Sequence, residues 1–396
     1  MGLAALSEKW QEAKMSASNL NRLPSARRPL VRRIVLADYR SYPSLDLDLD
    51  SSVVALTGEN GAGKTNVLEA LSQFTPGRGL RRVEFSECAR QGGSGGFSVS
   101  IALEDEIGLT QLGAGYEPDG QRKCRIDRAP VASPREFADF VRIVWMTPAM
   151  DGLFAGSAGE RRRFLDRLVL TVDPTHGARV AALERALRSR NRLLETGGEP
   201  AWLEATERET AELGVAVTAA RLETVSRLAA LVQAERDDAS PFPWADFALA
   251  GDVEALVAAH SALEAEDRYR LLLSANRARD AAAGRTLIGP QASDLVVRHG
   301  PKQIEARACS TGEQKALLTG LVLAHARLVM AMSGIAPLVL LDEIAAHFDP
   351  RRRAALYEEL ARLGGQAWLT GADPAAFAGL AGRAQILRVA PGRIEG

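Results

Sequence analysis

Cysteine is scarce in this sequence, and the three present lie far apart, at Cys88, Cys124 and Cys309. No two of them form a CxxC pair, so a disulfide framework, a zinc ribbon and a zinc hook are excluded, and a reducing compartment is expected. An excess of charge is absent too, because 49 basic and 50 acidic residues give a formal net charge of −1. The chain therefore has no overall positive charge of the kind that would indicate a nucleic-acid-binding protein, and any site for a polyanion has to be a local basic patch.

Long apolar runs and lysine are also lacking. The longest uncharged apolar stretches, such as residues 336–341, fall far short of the ~20 residues of a membrane-spanning helix. Charged residues occupy the N-terminal segment, where a signal peptide would be apolar. We therefore expect a soluble, cytoplasmic protein with no membrane partner. Only six of the 49 basic residues are lysines, which makes any lysine inside a motif informative.

Sequence patterns divide the chain into four predicted parts. Hydrophobic residues at 46% and charged residues at 25% are globular averages, and the length indicates roughly two to three domains. Residues 1–30 are predicted to be a poorly ordered extension. Residues 31–159 and 286–396 alternate strands with helices and are predicted to form one α/β head, split in sequence. Residues 160–285 are rich in strong helix formers and are predicted to form a short arm of about three to five helices.

Residues 58–65, Gly-Glu-Asn-Gly-Ala-Gly-Lys-Thr, satisfy the phosphate-loop pattern G-x-x-x-x-G-K-[ST]. A buried strand is predicted at 52–56 and a helix at 66–73, which is the context that the pattern requires. Glycines let successive backbone N–H groups converge on an anion at a helix N-terminus. The Lys64 amine is predicted to reach the β- and γ-phosphates, and the Thr65 hydroxyl to bind Mg²⁺. The candidate nucleotide-binding residues here are Gly58, Glu59, Asn60, Gly61, Ala62, Gly63, Lys64 and Thr65.

A second candidate element is the apolar strand at 338–341, which ends in two carboxylates, Asp342 and Glu343. Asp342 is predicted to hold Mg²⁺ through water. Glu343 is predicted to be catalytic, orienting and deprotonating an attacking water. Strands that end in aspartate are common, so this assignment depends on the phosphate loop.

Residues 309–315, Cys-Ser-Thr-Gly-Glu-Gln-Lys, begin a predicted helix. One interpretation is a helix cap that Glu313 completes as a capping box. The other is the signature of ABC ATPases, L-S-G-G-Q or L-S-G-G-E-K, in which Ser310 and Gly312 present N–H groups to an anion. Asp349 stands where ABC proteins end their D-loop. Four elements in this order predict an ABC-type P-loop ATPase head.

The layout resembles the RecF family of bacterial DNA repair proteins, within the RecF/RecN/SMC branch of ABC ATPases. Residues 36–42 resemble that family's L-x-x-F-R-N-Y, and residues 159–166 its S-x-R-R-R-F-L-D. Residues 184–191 resemble Y-x-R-A-L-x-Q-R-N, and residues 286–295 resemble T-L-x-G-P-H-x-D-D-L. The resemblance covers about residues 31–390.

This resemblance implies an ABC head with a short helical arm, ATP and Mg²⁺ as cofactors, and Arg40 of the opening motif near the nucleotide. It implies an ATP-dependent homodimer, in which Ser310 of one copy covers the γ-phosphate held by Lys64 of the other. Slow, DNA-stimulated hydrolysis would open this clamp. The family also implies binding to DNA at gaps or single-strand/double-strand junctions. The implied partners are RecR and RecO, in loading RecA, in replication restart and in the SOS response.

The sequence departs from the family pattern at several points. Residues 146–150, Met-Thr-Pro-Ala-Met, replace F-S-P-E-D, so the acidic pair expected there is missing. Cys309 replaces the leucine of the signature, and residues 346–348 replace S-E-L before Asp349. No histidine follows the strand that ends at Thr370, and this threonine is predicted to take over the role of the switch histidine. These departures indicate a divergent member with altered hydrolysis.

Arginines are the candidates for DNA contact, since phosphate contacts require no readout of base sequence. Solvated surface charge and internal ion pairs are an equally weighted alternative, and the 159–166 motif could instead fasten the arm to the head. The candidates are Arg78, Arg81 and Arg82 after the first helix, with less weight on Arg161 and Arg162.

Two other functions stay open. One is an ATP-binding structural DNA clamp without significant hydrolysis. The other is an ABC subunit of a different machine, such as a transporter, although a transporter subunit would lack the long helical insertion and would keep the switch histidine.

Overall fold

The computed structural model of the chain describes residues 26–343 and 348–395. Most of the predicted N-terminal extension, and the departure at Ala346 and His347, lie outside these residues. The described residues separate into two compact units. The first comprises the residues up to Asp151, Asp237–Pro243, and the residues from Lys315 onwards; the second comprises Gly152–Arg236 and Trp244–Gln314. The edges of these units differ from the predicted boundaries at 160 and 285, and the domain division stays a prediction.

Strands are distributed over both units. In chain order they are β1 (Leu30–Tyr39), β2 (Tyr42–Asp48), β3 (Val53–Thr57), β4 (Phe97–Glu104), β5 (Leu109–Tyr116), β6 (Arg122–Ile126), β7 (Ala129–Val131), β8 (Ile143–Met146), β9 (Ala245–Ala250), β10 (Asp294–His299), β11 (Ile304–Glu305), β12 (Leu338–Leu341), β13 (Ala367–Gly371), β14 (Gln385–Ala390) and β15 (Arg393–Glu395).

The helices are concentrated between β8 and β12. In chain order they are α1 (Lys64–Ser72), α2 (Phe85–Cys88), α3 (Ala158–Val172), α4 (His176–Thr196), α5 (Pro200–Ala234), α6 (Asp252–Ala259), α7 (Ala262–Ala275), α8 (Arg277–Ala283), α9 (Thr311–Ser333) and α10 (Pro350–Leu363).

A largely parallel sheet forms the centre of the first unit, with the strand order β15-β14-β3-β13-β12-β8. Its strands β3, β13, β12 and the edge strand β8 are apolar along almost their whole length and are buried on both faces, as is typical of parallel sheets covered on both sides. The strand predicted at 52–56 is present one residue later, as β3. The carboxyl ends of these parallel strands meet at one edge, which is where ligands bind in open α/β sheets.

The second sheet of the first unit is antiparallel, in the order β2-β1-β4-β5-β6-β7. Buried and exposed residues alternate along its strands, as the sequence predicts for residues 45–50. The buried face packs against α1 in one hydrophobic core, whose members include Ile34, Leu36, Val99, Ile101, Leu112, Leu68 and Leu71. On the opposite face, β4 and β5 carry Ser98, Ser100, Gly113 and Gly115, which are exposed or half-buried.

The second unit contains six helices, α3 to α8, where about three to five were predicted. The longest, α5, has 35 residues, or ~52 Å at the usual rise per residue. The unit also contains a three-stranded antiparallel sheet in the order β11-β10-β9. The sequence analysis missed β9, and it assigned residues 294–297 to the head, whereas β10 pairs with β9 in this sheet. Alanine-rich β9 alternates too weakly to stand out from the helices that precede it.

A buried polar network holds the helices of the second unit together. The Arg190 side chain on α4 is fully buried and contacts carboxylates of both Glu207 on α5, at 3.2 Å, and Asp280 on α8, at 2.7 Å. It also donates to the Thr286 hydroxyl and the Leu273 carbonyl. Because Arg190 and Thr286 fall within the family-like segments 184–191 and 286–295, these segments owe part of their pattern to packing inside the second unit.

The helix α9 is long and apolar enough to cross a membrane by length and composition alone. In this structure 67% of its most apolar window is buried inside the protein. That burial is what a core helix of a globular protein requires, and a single such helix is weak grounds for a membrane span.

Candidate nucleotide site

The phosphate loop connects β3 to α1 through a close packing that only glycine allows. Gly58 has a φ of +150°, and a Cβ on it would lie 2.3 Å from the carbonyl oxygen of Val389 on β14. Gly63, the N-cap of α1, has a φ of +113°, and a Cβ there would lie 2.8 Å from the Ser41 hydroxyl. The loop therefore lies against β14 and the β1–β2 turn, and the N-terminus of α1 faces into it.

The Lys64 side chain folds back over this loop. Its amine donates to the carbonyl oxygens of Gly58 at 2.7 Å and Glu59 at 2.8 Å, and the residue is only 4% exposed. An ammonium group fixed by two carbonyls of the loop is positioned to meet an anion that the loop holds.

Asp342 is the point at which three elements of the first unit meet. The Thr65 hydroxyl of α1 donates to its carboxylate at 2.9 Å, and the Thr370 hydroxyl of β13 donates to the same Oδ1 at 2.7 Å. The parallel order β3-β13-β12 makes this possible, since it places the ends of the three strands side by side. The structure thus brings together Thr65, Asp342 and Thr370, which the sequence analysis named separately.

Glu343 follows in an unusual backbone conformation. Its φ is +54°, in the left-handed region that non-glycine residues rarely occupy and that is concentrated at functional sites. Its N–H donates to the Thr370 hydroxyl oxygen at 2.9 Å. Thr370 therefore contacts both carboxylate residues, which gives this threonine a concrete position at the predicted catalytic centre.

The oxygen donors of Thr65 and Asp342 fit the chemistry of Mg²⁺. This ion keeps several waters and takes one or two protein carboxylates together with substrate phosphates, rather than a complete protein cage. Within residues 26–343 and 348–395, no group of three or more His, Cys, Asp or Glu residues could hold a metal ion. The protein ligand set is thus sparse, as expected for a metal bound largely by nucleotide and water.

The opening motif at residues 36–42 packs against the phosphate loop. The Tyr42 hydroxyl donates to the Gly63 carbonyl at 3.2 Å, and burial raises the pKa of Tyr42, so that the hydroxyl keeps its proton. Arg40 forms a two-pronged ion pair with buried Glu69 of α1, at 2.7 and 2.8 Å, and also donates to the Glu87 carbonyl. Arg40 thus stabilises the helix behind the loop, and its predicted contact with nucleotide stays a prediction.

The segment after β8 lies beside Asp342, because the Met146 carbonyl accepts the Asp342 N–H at 3.0 Å. The expected acidic pair is absent from residues 146–150, but Asp151 follows directly and pairs with Lys315 of α9 at 3.0 Å. Lys315 is only 7% exposed. The sequence analysis missed this pair because it compared the segment position by position, whereas the acidic group lies one residue further on.

The signature segment forms a capping box at the start of α9. Glu313 accepts from the Ser310 N–H and from the Ser310 hydroxyl, both at 3.0 Å, and an ion pair with Lys302 fixes the other side of its carboxylate. No atom lies within 4 Å of a Cβ built on Gly312, so this face of the helix start is open within the described structure. Both interpretations of the segment are therefore compatible with one geometry.

Asp349, the predicted end of the D-loop, is the N-cap of α10. Its side chain accepts from the Arg352 N–H at 3.0 Å, and that hydrogen bond is the main reason why the pKa of Asp349 is lowered. Four residues that precede Phe348 lie outside the described part of the chain. A role for Asp349 beyond capping stays a prediction.

The predicted DNA-contacting arginines already have partners. Arg78 pairs with Glu84 at 2.5 Å, and Arg81 pairs with Glu69 at 3.1 Å. Arg82 has a φ of +58°. Arg78 and Arg81 remain partly exposed, with 54% and 37% of their side chains accessible, so DNA contact by these residues stays a prediction.

Arg161 and Arg162 are engaged inside the second unit. Arg161 forms a two-pronged ion pair with Asp294 at 2.7 and 2.8 Å, and its side chain is only 16% exposed. Arg162 donates to the Ser293 carbonyl at 2.6 Å. These contacts join α3 to the start of β10, and they favour an internal ion pair for Arg161 and an internal hydrogen bond for Arg162.

A phosphate loop and an acidic strand end beside it on one parallel sheet define a P-loop ATPase head of the ABC type. Residues 30–370 match the family described as "RecF/RecN/SMC N terminal domain". The proteins named DNA replication and repair protein RecF from Rhizobium meliloti and Mesorhizobium japonicum are 54% and 51% identical to the chain over 368 residues. These alignments cover 92% of this chain and 98% and 97% of the relatives. The chain belongs to the RecF family.

Solved structures agree with this fold. The structure described as the recombination mediator protein RecF-ATPrS in the RecFOR pathway superposes with a TM-score of 0.83, at 19% identity, over 94% of this chain and 99% of that one. An SMC head bound to the winged-helix domain of ScpA gives a TM-score of 0.53 at 15% identity, over 92% of this chain and 96% of that one. The predicted ABC-type head with a helical arm is confirmed.

The stabilising effect of the Glu313 cap should depend on pH. The hydrogen bond from Lys302, followed by that from the Ser310 N–H, lowers the pKa of Glu313 from 4.5 to about 2. A carboxylate with a depressed pKa stabilises the fold above its ordinary pKa and loses this effect as the pH falls towards the depressed value. Glu313→Gln should therefore lower the free energy of unfolding by about 1 kcal/mol at pH 7, and by only a small part of that at pH 2.5, close to the depressed pKa.

Urea denaturation of the whole chain at both pH values measures this difference. The control is Glu212→Gln, at an exposed position of α5, which should stay within about 0.5 kcal/mol of the wild type. An effect of Glu313→Gln that is equal at pH 7 and pH 2.5 would contradict the stabilising role of the ionised Glu313 carboxylate in this cap.

Proposed function

We propose that this protein is an ATP-dependent DNA-binding clamp of recombinational DNA repair. The observation that carries the proposal is the convergence of Lys64, Thr65, Asp342, Glu343 and Thr370 at the carboxyl ends of three neighbouring strands. The relatives named DNA replication and repair protein RecF, and the neighbours described as RecF-ATPrS and RecF-ATP, support it.

ATP and Mg²⁺ are the proposed cofactors. The loop Gly58–Gly63 and the N-terminus of α1 would hold the phosphates through backbone N–H groups, with the Lys64 ammonium on the β- and γ-phosphates. Thr65 and Asp342 would hold the metal ion, which supplies charge neutralisation at the phosphate oxygens. In this structure the Thr65 hydroxyl donates its hydrogen to Asp342. When Mg²⁺ binds, the oxygen lone pair of the same hydroxyl would face the ion.

Hydrolysis would be slow and would depend on Glu343. The oxygen of a water attacks the γ-phosphorus, the bond from that phosphorus to the β–γ bridging oxygen breaks, and Glu343 takes the proton of the water. Thr370 positions this step, because its hydroxyl contacts both the Asp342 carboxylate and the Glu343 backbone. The step serves as a switch that releases the clamp.

The clamp itself would be a homodimer. Helix α9 begins directly after Ser310, and the N–H groups on its open face at Gly312 favour an anion. The signature role assigns that anion to the γ-phosphate bound by a second copy, with Ser310 covering it. Two bound nucleotides would then each be enclosed between the two copies of the dimer. The Asp349 cap fixes the start of α10 directly after the predicted D-loop.

The proposed ligand is DNA at gaps or single-strand/double-strand junctions. RecR and RecO are the proposed partners, in loading RecA and in the SOS response. The cytoplasm is the proposed location. Arg78, Arg81 and Arg82 are the proposed contacts from sequence, and acidic residues hold Arg78 and Arg81 in place.

A clamp that binds ATP without hydrolysing it is the second candidate. The loss of the acidic pair at 146–150, next to Asp342, favours it, because that segment adjoins the proposed metal ligand. The high identity with RecF proteins over 92% of the chain counts against a transporter subunit.

Phosphate release from the wild type and from two variants tests the function. Glu343→Gln should keep ATP binding and lower kcat by at least roughly 100-fold, because a general base supplies about that factor. Lys64→Ala should weaken ATP binding itself, since it removes the cation that meets the phosphates.

The matched control is Glu358→Gln, on the exposed side of α10, which should hydrolyse ATP like the wild type. A Glu343→Gln variant with wild-type turnover would refute the catalytic assignment. A wild type that binds ATP but releases no more phosphate than Lys64→Ala would establish the non-hydrolysing clamp.

The role of Thr370 can be separated from simple packing. Thr370→Val keeps the shape but removes the hydroxyl, so kcat should fall on the order of 10-fold while the affinity for ATP stays close to that of the wild type. Thr370→Ser keeps the hydroxyl and should restore most of the turnover. Equal kcat values for the valine and serine variants, measured by phosphate release at saturating ATP, would argue against a positioning role.

A further inference from the structure

The outer face of the antiparallel sheet carries a groove of about 440 Å³. It runs over β4, β5 and β6 on the side away from the hydrophobic core. The floor is poor in side chains, with Ser98, Ser100, Gly113 and Gly115 exposed or half-buried there. None of these residues belongs to the nucleotide site.

The strand register arranges the groove in two parallel rows. In one row, Ser98 of β4 faces Gly115 of β5, which faces Lys123 of β6. In the next row, Ser100 faces Gly113, which faces Arg125. Each row therefore reads serine, glycine, cation, and the rows lie ~6.7 Å apart along the strands. Glycine inside a strand weakens it, and it often marks a place where a ligand or another backbone approaches closely.

The cations along this groove are available for an anion. Arg125 and Arg128 are exposed, and neither forms an ion pair with another described residue. Lys123 contacts Glu117 at 3.5 Å, and that glutamate is the one acidic residue that lines the groove. By contrast, Arg78, Arg81 and Arg161 are bound by carboxylates. The groove thus has a net positive lining with two uncommitted guanidinium groups.

Arg128 is held in a conformation that arginine seldom adopts. It and Asp127 connect β6 to β7 as a two-residue turn, with φ values of +70° and +48°. Turns with two positive φ values favour glycine at the second position. An arginine there costs stability relative to glycine, and its side chain stays exposed at the end of the groove.

We propose that this surface, the basic groove formed by Lys123, Arg125 and Arg128 beside Gly113 and Gly115, binds the sugar–phosphate backbone of DNA. A positive channel with a flat, small-residue floor suits a backbone that has to be tracked without readout of its bases. This inference rests on the proposed function, since it names the surface on which the clamp would hold DNA.

The test measures the affinity for labelled gapped duplex by fluorescence anisotropy at several salt concentrations, with Mg·ATP present. Arg125→Gln combined with Arg128→Gly removes both free cations, and glycine suits the turn at Arg128, so folding should be retained. We expect affinity to fall on the order of 10-fold and the salt slope to decrease by about one per arginine.

A second variant changes the shape of the groove and leaves its charge intact. A Cβ at Gly113 would meet only the Arg125 Cβ, at 3.6 Å, so Gly113→Val fits the strand while it raises the floor. This variant should weaken DNA binding by several-fold with an unchanged salt slope. ATP binding should be unaffected in both variants, which distinguishes DNA phosphate from nucleotide phosphate as the ligand.

The control is Arg135→Gln combined with Arg388→Gln, which removes the same charge from exposed positions outside the groove. Groove variants that bind DNA as tightly as this control would overturn the inference and leave the proposed function standing. Groove variants that keep DNA binding but lose the binding of an acidic peptide would assign the groove to a protein partner. That outcome would also overturn the inference. A wild type that binds no DNA would overturn both proposals.

Discussion

The carboxylate of Asp342 accepts hydrogen bonds from two threonines that are remote from it in sequence, and the organisation of the head depends on this junction. Thr65 is 277 residues away and Thr370 is 28 residues away. The group is only 5% exposed, and a buried carboxylate is costly unless hydrogen bonds satisfy it. The two hydroxyls supply those bonds, and they fix the phosphate-loop helix against the acidic strand end.

This junction requires the strand order β3-β13-β12. Parallel pairing brings the carboxyl ends of the strands to one edge, so a loop near the N-terminus and two strands near the C-terminus contribute to one site. A long helical insertion can therefore interrupt the head without disturbing it. The same geometry explains why Glu343 is held by its backbone, through Thr370, in a left-handed conformation.

Much of this site could be predicted from sequence, because its chemistry is encoded in short contiguous patterns. Glycine spacing identifies the phosphate loop, and an apolar run followed by two carboxylates identifies β12. The pairing of Asp151 with Lys315 could not be read in this way, because the acidic residue lies one position beyond the family-like segment 146–150 and no local pattern indicates its partner. The Arg161–Asp294 and Arg81–Glu69 pairs were hidden as well, because they form only through packing between elements, at 133 and 12 positions apart. Strand β9 was missed because alanine carries little β-signal. The basic groove emerges only from cross-strand register.

In the proposed dimer, one copy of this chain holds only half of each nucleotide site, and the signature segment of the second copy completes it. Sedimentation velocity with Mg·ATP, with and without gapped duplex DNA, tests it most directly. We expect a monomer without nucleotide, a dimer with Mg·ATP that DNA strengthens, and a monomer for Ser310→Arg even when this variant binds ATP. A wild-type chain that binds ATP but remains monomeric at saturating nucleotide and DNA would rule out a shared nucleotide site.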